Sequence, residues 1–118
     1  MAGKTIIILG GGVGGIATAN SLREQLEQQH RVVVIDKRDE YVFTPSLLWV
    51  MVGWRQPQQI TKSIRSLLHS EVELVVAEGQ EIDLDGQKVK TSDGDIAYDY
   101  LVIATGASLS PDSLPGFN

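Results

Sequence analysis

Apolar and polar residues change their spacing twice within the first third of the chain. Thr5 to Leu9 is an unbroken β-branched and apolar run that ends at glycines, the pattern of a strand covered on both faces in a parallel sheet. From Val13 to about Gln28 the apolar residues Ile16, Ala19, Leu22 and Leu26 recur at steps of three and four, which predicts a helix with Arg23, Glu24 and Glu27 on its polar side. Arg31 to Ile35 is a second β-branched run. Two parallel strands need a crossover between them, right-handed in nearly all cases, so the chain up to Asp36 reads as a βαβ unit.

Beyond the charge cluster Asp36 to Glu40, Thr44 followed by Pro45 predicts a capped helix start, and Gly53 ends a short helix that runs to Val52. From Gln58 to His69 the residues Ile60, Ile64, Leu67 and Leu68 fall on one face of another predicted helix. Both helices are expected to cover the sheet or a ligand bound to it. Val72 to Ala77 is a third strand candidate. Gln80 to Leu84, Gln87 to Thr91 and Asp95 to Tyr98 are short stretches parted by Asp85-Gly86 and Asp93-Gly94, turn signals that predict a small antiparallel meander. Leu101 to Ala104 is a last buried strand that runs into Thr105-Gly106-Ala107 and a tail rich in Ser, Pro and Gly.

Composition narrows the possibilities. With 118 residues the chain is one domain at most, and 42% hydrophobic with 21% charged residues is ordinary globular usage. A net charge of −5 has the wrong sign for gripping a phosphate backbone, so nucleic acid is not an expected partner. There is no cysteine, hence no disulfide, thiolate metal site or dithiol pair in this segment. The opening residues lack the apolar core and cleavage site of a signal peptide, and no run approaches the roughly 18 apolar residues of a membrane helix. The expected location is the cytoplasm or the periphery of the cytoplasmic membrane. His30 and His69 each close a predicted helix, where a cation is favoured, and neither has a metal-ligand partner at useful spacing. No metal site or catalytic residue is expected here.

Gly10, Gly12 and Gly15 form a GxGxxG pattern that leaves a predicted strand and opens a predicted helix. In that setting the first glycine allows a tight turn, the second lets backbone approach a pyrophosphate, and the third lets helix pack on strand. The amides at the helix start, from Gly12 through Val13 and Gly14, then face an anion. Asp36 closes the second strand, where a carboxylate accepts hydrogen bonds from ribose hydroxyls and repels a 2′-phosphate. Lys37 and Arg38 read equally as adenosine contacts or as a solvated charge cluster. Gly3-Lys4-Thr5 looks like the tail of a Walker A loop but precedes the strand and lacks the upstream glycine, so it is set aside.

The segment Tyr98 to Ala107, with its Ala104-Thr105-Gly106 ending, resembles the second FAD signature of the flavoproteins with two dinucleotide-binding domains, the pyridine nucleotide-disulfide oxidoreductase superfamily. The distance between the two motifs, the meander between them and Leu114-Pro115-Gly116 are similar as well, and the likeness covers essentially the whole chain. Disulfide reductases carry a cysteine pair near Tyr41 to Arg55, and here there is none; the Thr-Pro-Ser, Trp and Gly-Trp-Arg elements of that stretch resemble sulfide:quinone oxidoreductases most. The resemblance implies an α/β, Rossmann-like FAD-binding domain, of which residues 1–118 are an incomplete N-terminal part, with its remainder and a second dinucleotide-binding domain expected downstream. It implies FAD as cofactor, with Gly10 to Gly15 at the pyrophosphate, Asp36 at the ribose, Thr44 and Pro45 near the flavin or its ribityl chain, the Ala77 backbone by adenine, and Thr105 and Gly106 beside the diphosphate. The implied reaction passes electrons from sulfide through FAD to a quinone. A type II NADH:quinone or ferredoxin-type reductase using NAD(P)H stays open, as does a non-enzymatic nucleotide-binding module. Membrane contact is expected through downstream segments, and the isolated fragment is expected to be inactive and to self-associate through uncovered apolar surface.

Overall fold

The structure is a computed structural model that describes residues 3–117. Strand β1 (Thr5–Leu9) leads into helix α1 (Val13–Gln25) and strand β2 (Arg31–Asp36). Strand β3 (Glu40–Val42) precedes a 3-10 turn at Thr44–Ser46 and helix α2 (Leu47–Met51). A second 3-10 turn, Pro57–Ile60, precedes strand β4 (Thr61–Ser63), helix α3 (Ile64–Leu67) and strand β5 (Glu73–Val76). Strands β6 (Gly79–Asp83), β7 (Lys88–Thr91) and β8 (Gly94–Ala97) form the antiparallel meander, and β9 (Tyr100–Ile103) returns to the main sheet.

That sheet has the order β5-β2-β1-β9 and is parallel throughout, with β1 against β2 from Thr5↔Arg31 to Leu9↔Ile35. Alternation along its two central strands divides the core. Ile6, Ile8, Val32 and Val34 point to α1 and α3, where they pack with Ala19, Ile64, Leu68 and Val72. Ile7, Val33 and Ile35 point the other way, onto Val89 and Tyr98 of the meander. Helices therefore flank one face and the meander the other, and each buried branched side chain contributes about 1.5–3 kcal/mol. At the far end of the sheet the Arg31 guanidinium bonds Glu73 at 2.8 Å and holds that carboxyl below its usual range. That ion pair stabilises the fold above the ordinary glutamate range and is lost as pH falls through the lowered value; its exposure limits it to under about 1 kcal/mol.

Four local expectations need correction. Helix α1 ends at Gln25, three residues early, because Leu26 turns extended with its amide still bonded to the Leu22 carbonyl. Arg23 lies inside the protein, at 4% exposure, rather than on the polar side. The helix expected from Gln58 to His69 is a 3-10 turn, a strand and a single helical turn. Thr61–Ser63 pairs with Glu40–Val42, and Ser63 caps α3 by accepting from the Ser66 amide. Ile60 and Ile64 flank a three-residue strand and Leu68 follows one turn later, so a helical spacing of four arises without a helix, and all three are buried. Thr44 is the first residue of its 3-10 turn and makes no capping hydrogen bond; Phe43 occupies the cap.

Arginines take the role assigned to the histidines. Arg23 donates to the carbonyls of Leu26, Glu27 and His30, and Arg65 to those of His69 and Val72. His30 and His69 instead accept backbone amides at Nδ1, from Lys4 and Glu71. Asn20 joins α1 to the end of α3, donating to the Leu67 carbonyl and accepting the His69 amide. Arg23→Met is expected to destabilise the domain by about 1–3 kcal/mol, since it removes the donor from three partly buried hydrogen bonds, whereas Glu24→Gln on the open face stays within about 0.5 kcal/mol; urea denaturation of the two variants measures the difference.

Candidate functional site

The carboxyl ends of the parallel strands converge on one edge of the sheet, where open α/β sheets bind ligands. Gly10 continues β1 with its amide on the Ile35 carbonyl, Ala77 donates to the Asp36 carbonyl, and Ala104 to that of Leu9. Gly10 has φ +113, and a Cβ there would lie 2.2 Å from the Ala104 carbonyl oxygen. Gly15, one turn into α1, sits on Gly10 itself: a Cβ at residue 15 would be 1.8 Å from the Gly10 oxygen. Those two glycines are demanded by the packing of strand and helix.

Gly12 is different. It has an extended backbone with φ −81, and a Cβ there would meet no protein atom within 4 Å. Neither packing nor torsion requires a glycine; the free space lies over the start of α1. That helix has no side chain capping its N-terminus and no acid in its first turn. The amides of Gly12, Val13 and Gly14 have no acceptor among the described residues. They can donate to an anion, with a dipole contribution of about 0.3–1 kcal/mol in addition to the hydrogen bonds.

Asp36 faces the same space and is already at work in the backbone. One carboxylate oxygen accepts the Gly11 amide at 2.6 Å and the other the Arg38 amide at 2.9 Å. The carboxylate thereby shapes both the glycine turn and the turn after β2, and each oxygen keeps acceptor capacity for a hydroxyl donor. Gly11 is the one amide of the turn that Asp36 takes out of reach of a ligand.

Two adjoining clefts share Asp36, Lys37 and Thr105. The smaller, about 230 Å³, lies between Gly10, Ala77, Glu78 and Gly79. The larger, about 710 Å³, runs from Gly11, Gly12 and Val13 past Arg38 to Thr44 on one side and Gly106 on the other. Nine of the residues singled out from the sequence thus line these two adjoining clefts: Gly10, Gly12, Val13, Asp36, Lys37, Thr44, Ala77, Thr105 and Gly106. Gly14 is exposed on the first turn of α1, Gly15 is buried beneath it, and Pro45 lies off these walls. Sequence reasoning missed Glu40, Tyr41 and Val42, which β3 brings to the larger cleft. The alternation of a three-residue strand is too short to register, and only its pairing with β4 makes it one.

A parallel α/β sheet with a glycine turn, an uncapped helix and an acid at the end of the neighbouring strand defines a dinucleotide-binding class of domain. The chain belongs to the pyridine nucleotide-disulphide oxidoreductase family, whose model matches residues 4–118. Among curated relatives it is 40% identical over 108 residues to a sulfide-quinone reductase of Aquifex aeolicus, covering 90% of this chain and 25% of the relative. It is 38% identical over 120 residues to the demethylphylloquinone reductase NdbB of Synechocystis, covering 94% of this chain and 30% of the relative. The X-ray structure of the Aquifex aeolicus sulfide:quinone oxidoreductase superimposes with a TM-score of 0.80 at 36% identity, over 91% of this chain and 25% of that one. The chain spans between about a fifth and a third of the length of these curated relatives, from 21% to 30%.

The two kinds of glycine separate by measurement. Gly15→Ala is expected to lower stability by about 3 kcal/mol, because strand and helix must part. Gly12→Val changes it by no more than about 1 kcal/mol, the cost of a less favourable cap residue. Thermal or urea unfolding of both variants checks the contrast.

Proposed function

We propose that this chain is the nucleotide-holding portion of an FAD-dependent oxidoreductase that oxidises sulfide and reduces a quinone. The observation that carries the reading is the uncapped start of α1, open above Gly12 and placed beside Asp36 at the carboxyl ends of the sheet. A diphosphate is the anion proposed for those amides, with Thr105 and Gly106 lining the same cleft. The remaining acceptor positions of Asp36 suit ribose hydroxyls, Lys37 and the Ala77 backbone border the adenine side, and Thr44 the side toward the flavin, with Pro45 next to it in sequence. FAD, when bound, supplies the two-electron redox chemistry; the residues here bind and orient it. The sulfide and quinone parts of the reading are supported by the relatives and by the Thr44-Pro45-Ser46 and Gly53-Trp54-Arg55 elements. The remainder of the FAD domain and a second dinucleotide-binding domain are proposed to belong to the same longer polypeptide.

The absence of cysteine keeps a second reading in view, an NADH-driven quinone reductase, since any thiol that binds sulfur must come from outside these residues. Among the described residues no helix is long and apolar enough to cross a membrane. The intact protein, kept anaerobic, is to be mixed with sulfide and separately with NADH while flavin absorbance is followed and a soluble quinone is then added. Bleaching by sulfide and recovery by quinone is the expected result. Bleaching by NADH alone transfers the protein to the second reading, and bleaching by neither removes both.

Asp36→Ala in the intact protein is expected to raise the Kd for FAD ten- to a hundredfold, corresponding to about 1.5–3 kcal/mol for hydrogen bonds to a charged group. It should also lower Tm, because the Gly11 and Arg38 amides lose their acceptor. Fluorescence titration of apoprotein with FAD, beside a melting curve, reads both effects.

A further inference from the structure

The turn between β7 and β8 is braced from within and fastened to the wall of the smaller cleft. Thr91, the last residue of β7, is buried; its hydroxyl donates to the Gly94 carbonyl at 2.6 Å and accepts the Asp93 amide at 3.1 Å. Ser92, in the turn itself, makes two bonds to one residue outside it. Its hydroxyl accepts the Glu78 amide and its own amide donates to the Glu78 carbonyl, each at 3.0 Å. Ser92 is exposed, and its side chain has no other partner among the described residues.

Glu78 follows Ala77, and both line the smaller cleft. The Ala77 amide is held by the Asp36 carbonyl at 2.9 Å, whereas the Ala77 carbonyl has no donor among the described residues, although the residue is only 5% exposed. That carbonyl is an open acceptor in the wall of the cleft. The peptide joining Ala77 to Glu78 is planar and trans, so its carbonyl and its N–H point in opposite directions. Because Ser92 takes the N–H, the carbonyl is turned away from the meander and held there. The direction of the acceptor beyond β5 is thus set by a hydroxyl 14 residues later. At the adenine side of a nucleotide, the donor that answers such a carbonyl is the exocyclic amine of a 6-aminopurine. A 6-oxopurine would place a second acceptor against it and leave the carbonyl unpaired.

We propose that Ser92 is a positioning residue: by clasping the Glu78 amide it aims the Ala77 carbonyl at the exocyclic amine of a bound adenine, so that the cleft selects a 6-amino over a 6-oxo purine. The assignment rests on the nucleotide reading of the cleft and is independent of the electron donor and acceptor. Fixing the acceptor before the ligand arrives removes part of the ordering cost of binding.

Apoprotein prepared from the intact protein is to be titrated with ADP, with IDP and with FAD, as wild type, Ser92→Ala and Ser92→Thr. The wild type is expected to bind ADP about tenfold more tightly than IDP. Ser92→Ala keeps the amide bond to the Glu78 carbonyl and loses only the hydroxyl; it should weaken ADP about fivefold and leave IDP unchanged. Ser92→Thr, which retains a hydroxyl, should restore the preference. A general loosening of the meander would weaken both nucleotides alike and leave their ratio untouched. That result, or equal affinity for ADP and IDP in a wild type that binds FAD, overturns the role of Ser92 while the FAD reading survives. Wild-type apoprotein that binds neither FAD nor ADP overturns both.

Discussion

The seat of α1 on the carbonyl of Gly10 is the contact on which the remaining geometry depends. With no side chain at Gly15, the helix comes close enough to β1 that its first-turn amides stand directly over the end of the sheet. The turn between them is then too tight to hold anything but glycine at residue 10, where the backbone is left-handed against the Ala104 carbonyl. One steric requirement thus fixes the helix direction, the opening of the cleft and the position of β9 beside it. Chemistry can be laid on that frame only because the frame is so constrained.

Asp36 extends the same constraint to the second strand. Its carboxylate gathers the Gly11 and Arg38 amides, so the glycine turn is held in shape from β2 as well as from β1. A residue recognised as a ligand acceptor is therefore also a structural clasp, and the two roles use different lone pairs of the same oxygens. This economy explains why a cleft formed from four strand ends needs few charged side chains to be well defined. Lys37 and Thr105, which line both cavities, complete its polar lining without any further acid there except Glu40 and Glu78.

Much of this was legible in the residues because the signals were redundant. The β-branched runs of β1 and β2, the glycines and the acid all agree on a strand–helix–strand unit, and the Asp-Gly pairs mark the meander correctly. From Gln58 to His69 the signals conflict, and the helix they predict is not the backbone found. Ile60, Ile64 and Leu68 keep a helical interval across a strand, and only the pairing of β4 with β3, a contact between segments well apart in the chain, decides the backbone. The inward turn of Arg23 has a similar origin: its hydrogen-bond acceptors are carbonyls exposed by the end of its own helix, which no side-chain pattern announces. Periodicity reports which residues face inward more faithfully than it reports the backbone that turns them there.

The strand order has a consequence for how the domain is made. β1 is synthesised before β2 and β9, yet it lies between them, and β9 follows only after the whole meander has been made. Thr5 is fastened to Asp99 in both directions, through its amide and its carbonyl. Until that late segment appears, one side of the most apolar strand has no neighbour, so vectorial folding cannot complete the sheet and the nascent chain must carry an open, sticky edge. Loop closure over such sequence distance is slow and leaves that edge exposed in the intermediates, a cost that the strand order itself imposes.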